Sequence, residues 1–147
     1  MIKYLVLIIG VFYMPTIFAQ GADDVIGEWS TPEEKSRIEI YKCGDRFCGK
    51  IVWLKKPNFE SDHERAGQAK TDLKNPDPTQ HDKPLIGLQI MKGFAYEGDR
   101  VWEDGEIYDP ENGKTYSCKM TLENDRVLNV RGYIGISLIG RTTVWTR

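Results

Sequence analysis

Ser36-Arg37-Ile38-Glu39-Ile40-Tyr41-Lys42-Cys43-Gly44-Asp45-Arg46-Phe47-Cys48-Gly49-Lys50-Ile51-Val52-Trp53-Leu54 is the stretch that decides the fold. Up to Lys42 it alternates, with Ile38 and Ile40 on one face and Arg37, Glu39 and Tyr41 on the other. A period of two belongs to a strand buried on one side, because successive side chains leave a pleated backbone in opposite directions. Phe47 to Leu54 returns after a turn around Gly44-Asp45, so the stretch predicts a β-hairpin.

Cys43 and Cys48 flank the hairpin tip. Equivalent positions on paired strands lie about 4.5 to 5.5 Å apart, close enough for a disulfide. A Cys43–Cys48 bridge is predicted, with a link to Cys118 as the alternative; three cysteines allow one internal bridge and leave one thiol. No second ligand pair stands at zinc spacing. A redox pair would be separated by two residues at a helix start, whereas strand pattern surrounds both cysteines here.

Working outward, the pattern repeats. Val25 to Thr31 precedes the hairpin across a turn at Pro32-Glu33-Glu34-Lys35. After it come Gly87 to Phe94, Arg100 to Tyr108, Lys114 to Leu122, Arg126 to Tyr133 and Ile139 to Thr146. Glu97-Gly98-Asp99, Asp109-Pro110-Glu111-Asn112-Gly113 and Glu123-Asn124-Asp125 read as turns, and Asp104-Gly105 as a bulge or kink. No segment of useful length carries a helical period. The fold class is therefore all-β: eight sequential strands that close as an antiparallel up-and-down barrel, with a two-sheet sandwich as the rival arrangement.

The N-terminus has a different character. Lys3, an apolar run from Tyr4 to Met14, Pro15 and the small Ala19 describe a signal peptide over residues 1–19, leaving residues 20–147 as a single domain. The apolar run is shorter than the roughly 20 residues a membrane span needs, and no cysteine stands near the cut for lipidation. A periplasmic or secreted address is expected, with no transmembrane segment after cleavage. The formal charge of −2, with no basic stripe, argues against a nucleic-acid partner.

The first strand opens Gly27-Glu28-Trp29 and the last carries Arg141 and ends on Arg147. An early Gly-x-Trp with an arginine on the final strand resembles the calycin group, which includes lipocalins and fatty-acid-binding proteins. The resemblance implies that Gly27, Trp29, Arg141 and Arg147 take part in barrel closure, the Trp plugging one end and an Arg lying across its face. Such a cation–π contact is worth about 0.5 to 2 kcal/mol.

A second resemblance covers most of the chain. Cys48-Gly49-Lys50-Ile51-Val52-Trp53-Leu54, Asn75-Pro76-Asp77-Pro78, Pro84-Leu85-Ile86-Gly87-Leu88, Ile107-Tyr108-Asp109-Pro110-Glu111-Asn112-Gly113-Lys114-Thr115-Tyr116-Ser117-Cys118 and Gly132-Tyr133-Ile134-Gly135-Ile136-Ser137-Leu138-Ile139-Gly140-Arg141-Thr142 stand in one order. Together they resemble the exported bacterial proteins grouped as domain of unknown function 2147. The resemblance implies bacterial origin, export and a lipocalin-like barrel, and brings no catalytic residues. Lys83 departs from the arginine expected there, and Asn58–Ala69 is longer than usual.

Lys55 to Pro84 interrupts the strand rhythm with one long loop, expected to form a lid with a short helix in Asp62–Lys70. It holds His63 and His81 among Asp62, Glu64, Asp72, Asp77 and Asp82, yet their spacing matches no metal motif. Asp72, Asn75 and Asp77 are oxygen ligands or, more simply, turn caps around Asn-Pro-Asp-Pro. Glu28, Glu106 and Asp109 are carboxylates without a sequence signal that pairs them, and no nucleophile elbow is present. No catalytic residue, metal or cofactor is assigned.

The aromatic residues on strands are the remaining candidates. Trp53, Trp102, Tyr108 and Tyr116 are the expected lining of a cavity or mouth, since an eight-stranded barrel either fills its interior or holds one small ligand. The expectation is a non-catalytic envelope protein holding a small, largely apolar ligand such as a lipid or hydrophobic metabolite. The alternative is a filled barrel that meets an envelope protein partner through its long loop or outer face.

Overall fold

The computed structural model describes residues 21–147; the segment read as a signal peptide lies outside them. Strands β1 (Gly27–Ser30), β2 (Ser36–Cys43), β3 (Arg46–Leu54), β4 (Gln89–Gly98), β5 (Val101–Asp109), β6 (Lys114–Asn124), β7 (Val127–Tyr133) and β8 (Gly140–Thr146) follow one another around a closed barrel. Each pairs antiparallel with the next, and Ser30 opposite Thr146 joins β1 to β8. The expected eight-stranded up-and-down barrel is the observed fold, and the sandwich is not.

Alternation explains which side each strand buries. Ile38 and Ile40 face inward as their spacing requires, and Trp29, Met91, Phe94, Trp102, Met120 and Leu128 have essentially no exposed surface. Burial of each large side chain stabilises the barrel by about 1.5 to 3 kcal/mol. The packing is tight enough to need glycine. A Cβ at Gly105 would collide with the Phe94 ring, and one at Gly49 would meet the Met91 sulfur at 2.9 Å. The interior around these side chains is filled.

Several boundaries differ from the sequence reading. Val25 and Ile26 are not in β1, because Ala22–Val25 forms a 3-10 turn whose Val25 carbonyl accepts the Trp29 indole N–H at 2.9 Å. Gly87 and Leu88 belong to the long connection, and β4 continues past Phe94 to Gly98. The helix expected within Asp62–Lys70 does not form. The His63 ring Nδ1 takes the Arg65 N–H at 3.0 Å, and Gly67 sits at φ 78°. The connection's helical turn is Pro78–Gln80, capped by the Asp77 carboxylate at 3.0 Å from Thr79 N. The bulge read at Asp104-Gly105 is present: register shifts between Trp102 and Gly105, and Asp104 adopts φ 61°.

Cys43 and Cys48 are disulfide-bonded and Cys118 is a buried free thiol. The bridge runs diagonally. Cys43 opposes Arg46 and Cys48 opposes Tyr41, with the two Cα atoms 5.9 Å apart.

One end of the barrel is sealed. The Arg147 guanidinium lies 4.2 Å from the centre of the Trp29 ring and donates to the carbonyl oxygens of Asp24, Ile26 and Asp125 at 3.0, 3.0 and 2.7 Å. Gly27 stands beside it at φ 126°, a backbone conformation that residues with a Cβ rarely adopt. The Trp102 indole donates to Ala22 O at 3.1 Å beside this seal. Arg141 stands at the opposite end of β8, exposed and opposite Gly132, so Arg147 is the arginine that covers Trp29.

Candidate functional site

Residues 55–88, between β3 and β4, fold into a compact connection at the other end of the barrel. Bridges between Asn58 and Ala69 and between Thr71 and Pro84 fold it back on itself. At its centre stands Asp72, a carboxylate with no exposed surface. Its side chain accepts the Tyr108 hydroxyl at 2.6 Å and Asn75 Nδ2 at 2.8 Å, while its N–H donates to Lys83 O at 2.9 Å. A buried carboxylate is tolerated only when donors surround it, and these supply them.

The supporting shell is a chain of short bonds. Asn75 Oδ1 accepts the Asp77 N–H at 2.9 Å, and His81 Nε2–H donates to Asn75 O at 2.8 Å. Bonds from the Thr79 hydroxyl and then its N–H hold the Asp77 carboxyl below its ordinary value. Gly113, at the tip of the β5–β6 turn and at φ 73°, lies against the Lys74 backbone so closely that a Cβ would strike the Lys74 carbonyl.

Between this connection and the barrel wall is an open cleft of about 600 Å³. Asn75, Pro76, Gln80, Lys83, Pro84, Ile86 and Leu88 form one side; Gln89, Tyr108 and Thr115 form the other. A smaller hollow of about 270 Å³ shares Gln89, Tyr108 and Thr115 and continues to Lys92 and Glu106, which are paired at 3.3 Å. Tyr108 opposes Thr115 on the face of the sheet opposite to that of Ile107 and Tyr116. The cleft therefore borders the outer face of the barrel wall and not its interior.

The chemistry available here is recognition. Burial first, then the neighbouring Asp72, pushes the Tyr108 hydroxyl well above its ordinary 10.0, which keeps it protonated as a donor. Asp72 is sealed from solvent and each of its oxygens already takes a donor, so the pair acts as a tether. Lys83, Gln80 and Gln89 offer polar contacts beside the apolar Pro76, Ile86 and Leu88.

The four aromatic candidates do not converge. Tyr108 lines the cleft. Trp102 is locked in the core, and Trp53 faces outward beneath Arg37, whose guanidinium stands 5.0 Å from its ring. Tyr116 lies on the interior-facing side of β6 near the open end, its hydroxyl accepting Asn112 Nδ2 at 3.0 Å. His63 stacks on Phe59 with ring centres 4.2 Å apart, away from the bonds His81 makes. Among the described residues no group of three His, Cys, Asp or Glu stands together as a metal site. Asn-Pro-Asp-Pro marked the cleft's turn, but nothing local in the sequence distinguished Asp72 from the loop's exposed acids.

Comparison with known proteins agrees with this architecture. Residues 27–147 match the model of a family described as an uncharacterised protein conserved in bacteria, DUF2147. No curated protein matches. Among solved structures, protein HP1028 from the human pathogen Helicobacter pylori, described as belonging to the lipocalin family, superposes with a TM-score of 0.71. It is 20% identical over 83% of this chain and 81% of its own, a likeness that concerns the fold. With the match running from the opening Gly27 of β1 to the Arg147 that seals the barrel, this chain belongs to the bacterial DUF2147 family and has a lipocalin-like fold.

Proposed function

We propose that this protein is an exported, non-catalytic binding protein that holds a small ligand in the cleft between its long connection and the barrel wall. The observation that carries the reading is the Asp72–Tyr108 tether, which rigidly positions one wall of a cleft of about 600 Å³. Clefts of this size suit small molecules, and a pre-formed wall lowers the ordering cost of binding. Close packing of Met91, Phe94 and Trp102 inside the barrel favours this cleft over the barrel axis as the seat of a ligand. The ligand class that suits the lining is amphipathic: an apolar flank against Pro76, Ile86 and Leu88, and an anionic or hydrogen-bonding group toward Lys83, Gln80 and Gln89.

Export is supported by the N-terminal sequence, by the bacterial family and by a disulfide, which persists in oxidising compartments. The periplasm or the medium is the address it fits.

Titration with the amphipathic anion anilinonaphthalene sulfonate tests the binding site. Saturable binding by the folded protein that weakens about tenfold or more in Ile86→Asp and Lys83→Glu, and not in Trp53→Ala, is the expected result. Binding that is absent, or indifferent to both cleft substitutions, would overturn the reading. Native mass spectrometry of protein recovered from bacterial envelope extracts would then identify the natural occupant as an added mass lost on denaturation.

A further inference from the structure

The β7–β8 connection is built unlike the rest of the surface. Ile134, Ile136, Leu138 and Ile139 are 72%, 59%, 85% and 71% exposed within six residues. Single exposed aliphatics are ordinary, but a contiguous projecting cluster marks an interaction surface. The cluster is held in shape. Arg131 Nε donates to Ser137 O at 2.6 Å, one terminal nitrogen to Leu138 O at 3.3 Å and the other to Thr142 Oγ1 at 2.9 Å. Ile139 N–H reaches Ile136 O at 3.1 Å. Arg131 thus satisfies two of the carbonyls that would otherwise oppose removal of this loop from water.

The chain that flanks the loop carries charge of one sign. From Arg126 to Arg147 the chain carries arginines at 126, 131, 141 and 147 and no acidic residue, although the whole protein has 22 acids against 20 bases. The adjoining part of β6 adds Lys119 and Lys114, the latter opposite Asp109 on β5, and no acid before Glu123; Lys119 and Thr142 pair with Arg131 on either side. Glu33 and Glu34 lie on the β1–β2 connection, on the other flank of β8, and Glu33 is paired with Lys35 at 3.7 Å. Tyr133 stands at the root of the loop, at the C-terminal end of β7.

We propose that this loop docks the protein on an anionic lipid bilayer. The four aliphatic side chains enter the boundary between headgroups and acyl chains, Tyr133 sits at headgroup level, and Arg141, Lys119 and Lys114 face the lipid phosphates. An apolar tip ringed by cations is the combination that binds anionic interfaces, each part reinforcing the other. The charge pattern disfavours a second copy of this chain as occupant, because two such cationic surfaces repel. Docking by this loop does not depend on the ligand cleft.

The test uses the full chain with vesicles of equal phosphatidylcholine and phosphatidylglycerol, and with phosphatidylcholine alone. Peptide-resolved hydrogen exchange reads the loop directly, so any membrane affinity of the N-terminal residues does not stand in for it. The expected result is protection of residues 134–139 on the anionic vesicles, weakened by about 0.5 M salt. The protection should be lost in Leu138→Asp/Ile139→Asp, with a fall in vesicle partition of about tenfold or more. Arg141→Glu should weaken partition without changing the neutral-vesicle result. Both variants alter exposed positions, so an unchanged urea midpoint would show that they are folded. Unprotected loop amides, or equal partition of wild type and the double variant, would overturn the proposal. So would a wild-type loop that is protected only by an envelope protein.

Discussion

The Tyr108 hydroxyl on β5 donates a 2.6 Å hydrogen bond to the carboxylate of Asp72, a loop residue with no exposed surface. The sheet thereby fixes a connection that has little regular structure of its own, and fixes one wall of the cleft with it.

Tyr108→Phe keeps the ring and removes the donor, leaving a buried carboxylate oxygen short of a partner. The expected cost is about 1 to 3 kcal/mol in urea unfolding, with faster limited proteolysis between residues 55 and 88. Gly113→Ala attacks the same docking from the β5–β6 turn and should expose the same cleavage sites. A wild-type proteolysis pattern in both variants would show that the tether does not hold the connection.

Alkaline pH should destabilise the fold through two protonated groups. Burial pushes the Cys118 thiol from its ordinary 9.0 up to about 12, and Tyr108 is raised above its ordinary 10.0. Both folded values exceed the unfolded ones, so the stability they contribute is fully present below pH 9.0. It is lost as the pH rises further, because the unfolded chain releases protons that the folded chain retains. Urea midpoints measured from about pH 8 to about pH 11 should fall, and Cys118→Ala should delay the onset of the fall. A flat profile would contradict both assignments.

Arg147 and Arg141 offer a matched comparison at the two ends of β8. Arg147→Ala removes a guanidinium stacked on Trp29 and bonded to three carbonyls, at an expected cost of about 1 to 3 kcal/mol. Arg147→Lys should recover little, since an ammonium cannot present the planar fork that reaches those carbonyls. Arg141→Ala, at an exposed position, should stay within about 0.5 kcal/mol of wild type. Equal effects of the two alanine variants would rule out a seal made by Arg147.

The cysteine arrangement is checked by alkylation and mass. The folded, unreduced protein should take up no label, and the unfolded, unreduced protein a single label at Cys118. Replacing Cys43 and Cys48 with alanine should cost about 2 kcal/mol, the scale of closing a short loop. Label at Cys43 or Cys48 without reductant would contradict the bridge.

The barrel was legible because strand pairing is largely local. Ile38 and Ile40 alternate with charges, Gly44-Asp45 turns the chain, and each later strand meets its predecessor across a short connection, the long one before β4 excepted. The disulfide was legible for the same reason, as its cysteines flank one turn. Side-chain destination was less so. Opposite Arg37 and Ile38 strand β3 carries the extra residue Val52, and β5 carries an extra residue between Trp102 and Gly105; each changes the face taken by the residues beyond it. Trp53 and Trp102 look alike in sequence, yet one lies outside under Arg37 and the other in the core.

By itself, the sequence determined an all-β chain of eight strands and the place of its long connection. These depend on periodicity, turn chemistry and short-range pairing, which neighbouring residues carry. Tertiary structure alone decided that Arg147 and not Arg141 covers Trp29, that Trp102 and Phe94 pack inside the barrel, and that Asp72 is buried beneath Tyr108. Each of those outcomes joins residues far apart in the chain, and their meeting depends on barrel closure and the accumulated register of the strands between them.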